Sequence, residues 1–154
     1  AEEVVTEQQP VRVQESPPPQ RQRGVLLVED EEQVRLMTEV MLTRLGFIPL
    51  CAGDGAEALD LFRQHGDDID LVVCDLTMPQ MDGWQTLAAL REIAPQLPVV
   101  MTSGYDESMV MTTGREHYPQ VFLQKPFRKE ELGAAIEVAC RRTQSVDEVI
   151  DTGS

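Results

Sequence analysis

Apolar and polar positions alternate in blocks along the middle of the chain, and the period changes from block to block. Residues 25–28, VLLV, form a continuous apolar run that predicts a buried strand and stops at Glu29 and Asp30. Beyond it Val34, Met37, Met41 and Leu45 recur every three or four residues, which predicts one face of a helix. Gly46 stands where the cap of that helix belongs. Residues 47–52, FIPLCA, predict a second strand, and Pro49 places it at a sheet edge because proline cannot donate to a ladder. Asp54 followed by Glu57 predicts a capping box for a helix whose face is Ala58, Leu59 and Phe62. Residues 71–74 predict a third strand, followed by a helix with Trp84, Leu87, Ala88 and Ile93 on its face. PVVMTSG predicts the fourth strand, a weak helix is expected from Asp106, and VFLQKP predicts the fifth strand. Residues 128–142 predict a last helix carrying Leu132, Ala135, Ile136, Ala139 and Cys140.

Five strand–helix alternations with short connections predict an α/β fold: a parallel sheet covered by helices on both faces. Right-handed crossovers leave few topologies, and the common doubly wound order for five strands is 2-1-3-4-5. The second strand is an edge in that order, which agrees with Pro49.

The flanks differ in composition. Residues 1–23 contain VQESPPPQRQR and no aromatic residue, which predicts a disordered, extended linker. Residues 143–154 predict a flexible polar tail, so the folded domain is expected over 24–142. No apolar run approaches the roughly 18 residues of a membrane span, and the N-terminal stretch has no signal-peptide core. A cytoplasmic location is therefore expected, with no membrane contact by this segment. Cys51, Cys74 and Cys140 are odd in number, widely spaced and without metal-site spacing, so reduced core thiols are expected.

Charge narrows the partners. Of 27 acids and 13 bases, the leader holds four and three and the tail holds three acids, which leaves 20 and 10 in residues 24–142. Non-specific nucleic-acid binding needs a basic face, so no nucleic acid is expected as a partner, whereas a cationic cofactor suits the balance.

Open α/β sheets bind ligands at the carboxyl ends of their strands, where strand order reverses. The first strand delivers Glu29 and Asp30 there, the third Asp75, the fourth Ser103 and the fifth Lys125. Strands one and three are neighbours, so Asp30 and Asp75 should converge. Carboxylates held together repel one another unless a cation intervenes. Mg²⁺ favours oxygen ligands, and a loop carbonyl at Thr77 would add one. A carboxylate nucleophile, a divalent cation, a lysine and a hydroxyl together fit phosphoryl transfer through an aspartyl phosphate.

VLLVEDEEQVR, LVVCDLTMPQMDGW, VVMTSGY and FLQKPF occur in this order. Together they resemble the receiver domain of two-component response regulators, over about residues 24–142. The resemblance implies the flavodoxin-like fold, whose members share the 2-1-3-4-5 order. It implies Asp75 as phosphoacceptor, Asp30 as a direct Mg²⁺ ligand, Glu29 as a ligand through water and Thr77 as a carbonyl ligand, with Mn²⁺ as a substitute metal. Lys125 would contact the phosphoryl group, with Ser103 and Phe122 as switch residues. Phe122 stands where many members have tyrosine, and Glu29 where aspartate is common. The implied donor is phosphohistidine on a histidine kinase or phosphotransfer domain, docking beside the first helix near Val34 and Met37. The implied switch face, also the implied homodimer surface, is made by the fourth helix, fifth strand and fifth helix.

DLTMPQMDGW with TSGYDE is most similar to the C-terminal receiver of a hybrid sensor histidine kinase, and the proline-rich leader fits such an attachment. About a dozen residues follow the last expected helix, so no DNA-binding output domain is expected. A stand-alone single-domain regulator is the alternative. A phosphatase of the haloacid-dehalogenase kind needs a second aspartate two residues after the nucleophile, where Thr77 stands. A receiver that binds partners without phosphorylation is a third reading.

Overall fold

The computed structural model describes residues 22–104 and 115–153, with side chains described as far as residue 143. Five parallel strands, β1 (Gly24–Val28), β2 (Ile48–Ala52), β3 (Leu71–Asp75), β4 (Val99–Ser103) and β5 (Val121–Gln124), form one sheet in the order β2-β1-β3-β4-β5. Between them lie helices α1 (Glu32–Arg44), α2 (Gly55–His65) and α3 (Gly83–Ile93), and the C-terminal helix spans Lys129–Gly153. The leader before residue 22 and the helix expected from Asp106 lie outside the described residues.

Strand side chains point alternately to opposite faces, and each face has its own core. Leu26 and Val28 of β1 and Val72 and Cys74 of β3 join Ala58, Phe62, Leu87 and Leu90 under α2 and α3. Val25 and Leu27 of β1 and Leu71 and Val73 of β3 join Leu42, Leu132, Ile136 and Ala139 under α1 and the C-terminal helix. Burial on both sides accounts for the unbroken apolar runs in the sequence. β2 pairs with β1 alone, with Pro49 in register with Val25, so the edge position holds.

Local signals explain several boundaries. α1 ends in a Schellman arrangement: the Phe47 N–H donates to the Leu42 carbonyl and the Gly46 N–H to the Thr43 carbonyl, both at 3.0 Å, with Gly46 at φ +95°. The Asp54 carboxylate caps α2 by accepting from the Glu57 N–H at 2.8 Å, while Glu57 reaches one residue past the cap, to the Gly53 N–H. α3 has a complete capping box, Asp82 with Gln85, that the sequence reading did not name.

Two expectations are corrected. The buried line of α1 is Thr38 and Leu42, and Met37, 61% exposed, lies off it. Met41 and Leu45 of the expected face do pack, half-buried, against the core, and Thr38 is tolerated inside because its hydroxyl donates to the Val34 carbonyl at 2.8 Å. The C-terminal helix runs on to Gly153, past the end at residue 142 that the apolar spacing predicts.

Candidate functional site

The strand ends converge as the topology requires. Asp75 is the last residue of β3, in register with Thr102 of β4. Glu29 follows β1 directly, and its N–H donates to the Ala52 carbonyl of β2 at 3.1 Å. The turn after β3 bends sharply: the Gly83 N–H donates back to the Leu76 carbonyl at 2.8 Å. A Cβ on Gly83 would stand 2.6 Å from the Asp75 carbonyl oxygen, so only glycine allows α3 to start this close to the strand end.

Lys125 lies between two of the acids. Its ammonium is 2.9 Å from Glu29 Oε1 and 3.0 Å from Asp75 Oδ1. The side chains of Glu29 and Asp75 are only 4% and 6% exposed. One carboxylate oxygen from each of Glu29, Asp30 and Asp75 lies within 4.8 Å of the other two. The cleft above them is lined by Glu29, Asp30, Glu31, Asp75, Thr77, Gly104 and Lys125.

One ammonium faces three carboxylates, and the titration behaviour follows. Burial pushes the Asp75 carboxyl above its usual range, and the nearby Asp30 adds to this, against the pull of Lys125 and the Thr77 N–H. Burial likewise pushes Glu29 up, with the charge of Asp75 adding to it, against Lys125 and the Glu31 N–H. For Lys125 burial favours the neutral amine, but the hydrogen bonds to Glu29 and Asp75 outweigh it and hold the ammonium above its ordinary value. The arrangement is short of positive charge. Its free donors are oxygens, the chemistry a hard divalent cation takes.

The remaining expected residues fall at or near this edge. Thr77 is exposed and lines the cleft, with its N–H on the Asp75 carboxylate. Ser103 is buried at the end of β4, and its carbonyl accepts the Lys125 N–H at 2.7 Å. Phe122 lies away from the acids, half-buried on β5, edge-on to Trp84 at 5.8 Å between ring centroids. Trp84 also meets Tyr118 edge-on at 5.8 Å and carries the Arg115 guanidinium 4.1 Å over its ring. The sequence carries no signal for this aromatic group, because a single aromatic per element gives no periodicity. Nor does it signal Arg35, whose Nη1 donates to the Glu29 carbonyl at 2.9 Å.

The cysteines are free thiols, with Cys74 buried and Cys51 and Cys140 half-buried. Burial pushes the Cys51 thiol up to about 11 and raises Cys74 and Cys140 as well, so none is a ready thiolate at neutral pH. No helix among the described residues is long and apolar enough to cross a membrane.

The chain resembles known proteins. The "Probable transcriptional regulator ycf27" of Cyanidium caldarium is 34% identical over 125 residues, which are 81% of this chain and 49% of that protein. The "Sensor kinase CckA" of Brucella abortus is 35% identical over 113 residues, 73% of this chain and 12% of that protein. The chain thus spans about half or less of the length of these relatives. Among solved structures, a response regulator receiver domain protein of Clostridium thermocellum superposes with a TM-score of 0.72 at 24% identity, covering 80% of this chain and 98% of that one. A family model for the response regulator receiver domain matches residues 25–137, and the chain belongs to that family.

Proposed function

We propose that this domain accepts a phosphoryl group on Asp75 from a phosphohistidine and changes shape in response. The observation that carries the reading is the Lys125 ammonium held between Asp75 and Glu29 at the carboxyl edge of the sheet, with Asp30 beside them.

An Asp75 carboxylate oxygen attacks phosphorus, the P–N bond to the donor histidine breaks, and its electron pair returns to the ring. From a ring protonated at its other nitrogen, the imidazole leaves neutral. Lys125 is placed to follow the charge from the carboxylate to a phosphoryl oxygen, and the fixed Thr77 N–H helps hold the nucleophile in line. Asp30, Asp75 and the Thr77 carbonyl would hold Mg²⁺, or Mn²⁺ in its place, with Glu29 reaching it through water. When bound, the cation neutralises these carboxylates and the transferring phosphoryl oxygens. Ser103 and Phe122 carry the switch, Ser103 turning toward the new phosphoryl group and Phe122 repacking in response, and the β5 face shifts population toward an active form, available for homodimer contact.

The donor domain docks beside α1. Leu36, Met37 and Val40 are at least half exposed there, and an apolar groove lined by Val34, Met37, Met41, Pro126 and Phe127 runs up to Lys125. We read the parent protein as a hybrid sensor histidine kinase, in line with the printed name of the Brucella relative, and residues 1–23 as its linker. The acidic domain is proposed to work in the cytoplasm and to make no nucleic-acid contact itself, even where whole relatives are named transcriptional regulators.

The test is incubation with Mg²⁺ and acetyl phosphate followed by intact mass. The wild type gains one phosphoryl group and Asp75→Ala gains none. A wild type that gains none with any donor overturns the reading.

A further inference from the structure

The backbone carbonyl of Glu29 has a partner outside the acid cluster. Arg35, one turn into α1, folds back and donates from Nη1 to that carbonyl at 2.9 Å. Its own N–H donates to the Glu31 carbonyl, also at 2.9 Å. The guanidinium overlies the turn after β2, where a Cβ on Gly53 would stand 3.7 Å from Nη1 and 3.6 Å from Glu57 Oε1. The Glu29 N–H closes the same junction by donating to Ala52. Arg35 therefore joins the end of β1, the start of α1 and the turn that follows β2.

The bonded oxygen sets a whole peptide plane. The atoms from the Glu29 Cα to the Asp30 Cα are coplanar, so fixing the carbonyl fixes the points from which both acids hang. The two acids differ in what else holds them. Glu29 has Oε1 on Lys125 and Oε2 on the Glu31 N–H at 3.1 Å. Asp30 is exposed and makes no hydrogen bond to another described residue. Its place in the cluster comes from the backbone alone.

We propose that Arg35 is a positioning residue that aims the Asp30 carboxylate at the divalent-cation site by pinning the Glu29–Asp30 peptide plane. The inference rests on the metal-dependent reading of the acid cluster. Arg35 acts through the carbonyl and its guanidinium does not join the cluster. Its positive charge would by itself repel a divalent cation, so positioning and charge act with opposite sign and can be separated.

The experiment titrates Mn²⁺ alone into the full chain by calorimetry and measures metal-free melting in parallel. Arg35→Met removes both donor and charge at similar length, and Arg35→Lys keeps one donor and the charge. Arg35→Met weakens Mn²⁺ binding about tenfold, the scale for losing a group that orients a metal ligand. Arg35→Lys recovers most of that loss, and metal-free melting moves little in either variant. Affinity in Arg35→Met that is unchanged or tighter overturns the proposal, as does a loss that tracks a fall in melting temperature and is not recovered by lysine. Should Arg35→Met fail to fold, Arg35→Ala, which also removes both donor and charge, is read in the same way. A wild type whose Mn²⁺ binding is absent, or indifferent to Asp30→Asn, removes the cation site itself and this role with it.

Discussion

The Lys125 ammonium lies 3.0 Å from Asp75 Oδ1, on a side chain that is 6% exposed. The contact that would later serve a phosphoryl group already stabilises the resting domain. Lys125→Met leaves Glu29 and Asp75 buried without their cation. Removing one partner of a buried ion pair costs on the order of 3 kcal/mol. The urea midpoint of the metal-free protein should fall accordingly, and Mg²⁺ should restore part of the loss. A midpoint equal to wild type would mean that the acids are neutralised in some other way.

The raised carboxyls set a pH dependence whose sign differs from that of ordinary salt-bridged acids. A carboxyl whose folded pKa lies above its unfolded value weakens the fold once it ionises. Asp75 and Glu29 are both shifted this way by burial. Their unfavourable contribution is absent below the ordinary carboxylate range and grows as pH rises through the raised values. Lys125 has the opposite sense: its contribution is present below the ordinary lysine value and is lost as pH rises through its raised one. Metal-free Asp75→Asn should therefore melt above wild type at pH 7, and the gap should close as pH falls toward 4. Melting curves over that window, without divalent ions, check it; a gap that widens on acidification contradicts it.

Gly83 offers a steric test of how the nucleophile is placed. A Cβ there would meet the Asp75 carbonyl oxygen at 2.6 Å, the Leu76 Cα at 2.7 Å and Met101 Sδ at 2.7 Å. Two of these are backbone atoms that cannot swing aside. Gly83→Ala should lose about 2 kcal/mol of stability, within the range for overpacked sites. It should also slow phosphoryl uptake, because the atoms displaced belong to Asp75 and its neighbour.

Trp84 is the single tryptophan and touches Phe122 edge-on. If Phe122 repacks when Asp75 is loaded, the surroundings of the indole change with it. Tryptophan emission should shift in intensity on adding Mg²⁺ with beryllofluoride, and should stay constant in Asp75→Ala. Constant emission in the loaded wild type would mean that Phe122 does not move against Trp84.

The parts of this molecule legible in the sequence are those that burial writes into the chain. Strands buried on both faces read as unbroken apolar runs, and the strand order is the common one for five doubly wound strands, with which Pro49 at an edge agrees. The site acids and Lys125 were legible because they interrupt those runs at the strand ends. One position of α1 was not: Met37 resembles a core residue yet is exposed, while Thr38 faces in because a local hydrogen bond satisfies its hydroxyl. The length of the C-terminal helix escaped because only Val146, Val149 and Ile150 interrupt a mostly polar stretch after residue 142, too few to mark a further turn of the apolar face. Arg35 escaped because a side chain that serves a backbone carbonyl belongs to no motif of its own.

The most direct measurement of the central claim locates the phosphoryl group. After reaction with acetyl phosphate and Mg²⁺, borohydride reduction converts an aspartyl phosphate to homoserine, which peptide mass spectrometry can place. The account predicts the conversion at Asp75 alone, dependent on Mg²⁺. Conversion at another carboxylate, or none while Mg²⁺ and donor are in excess, would contradict it.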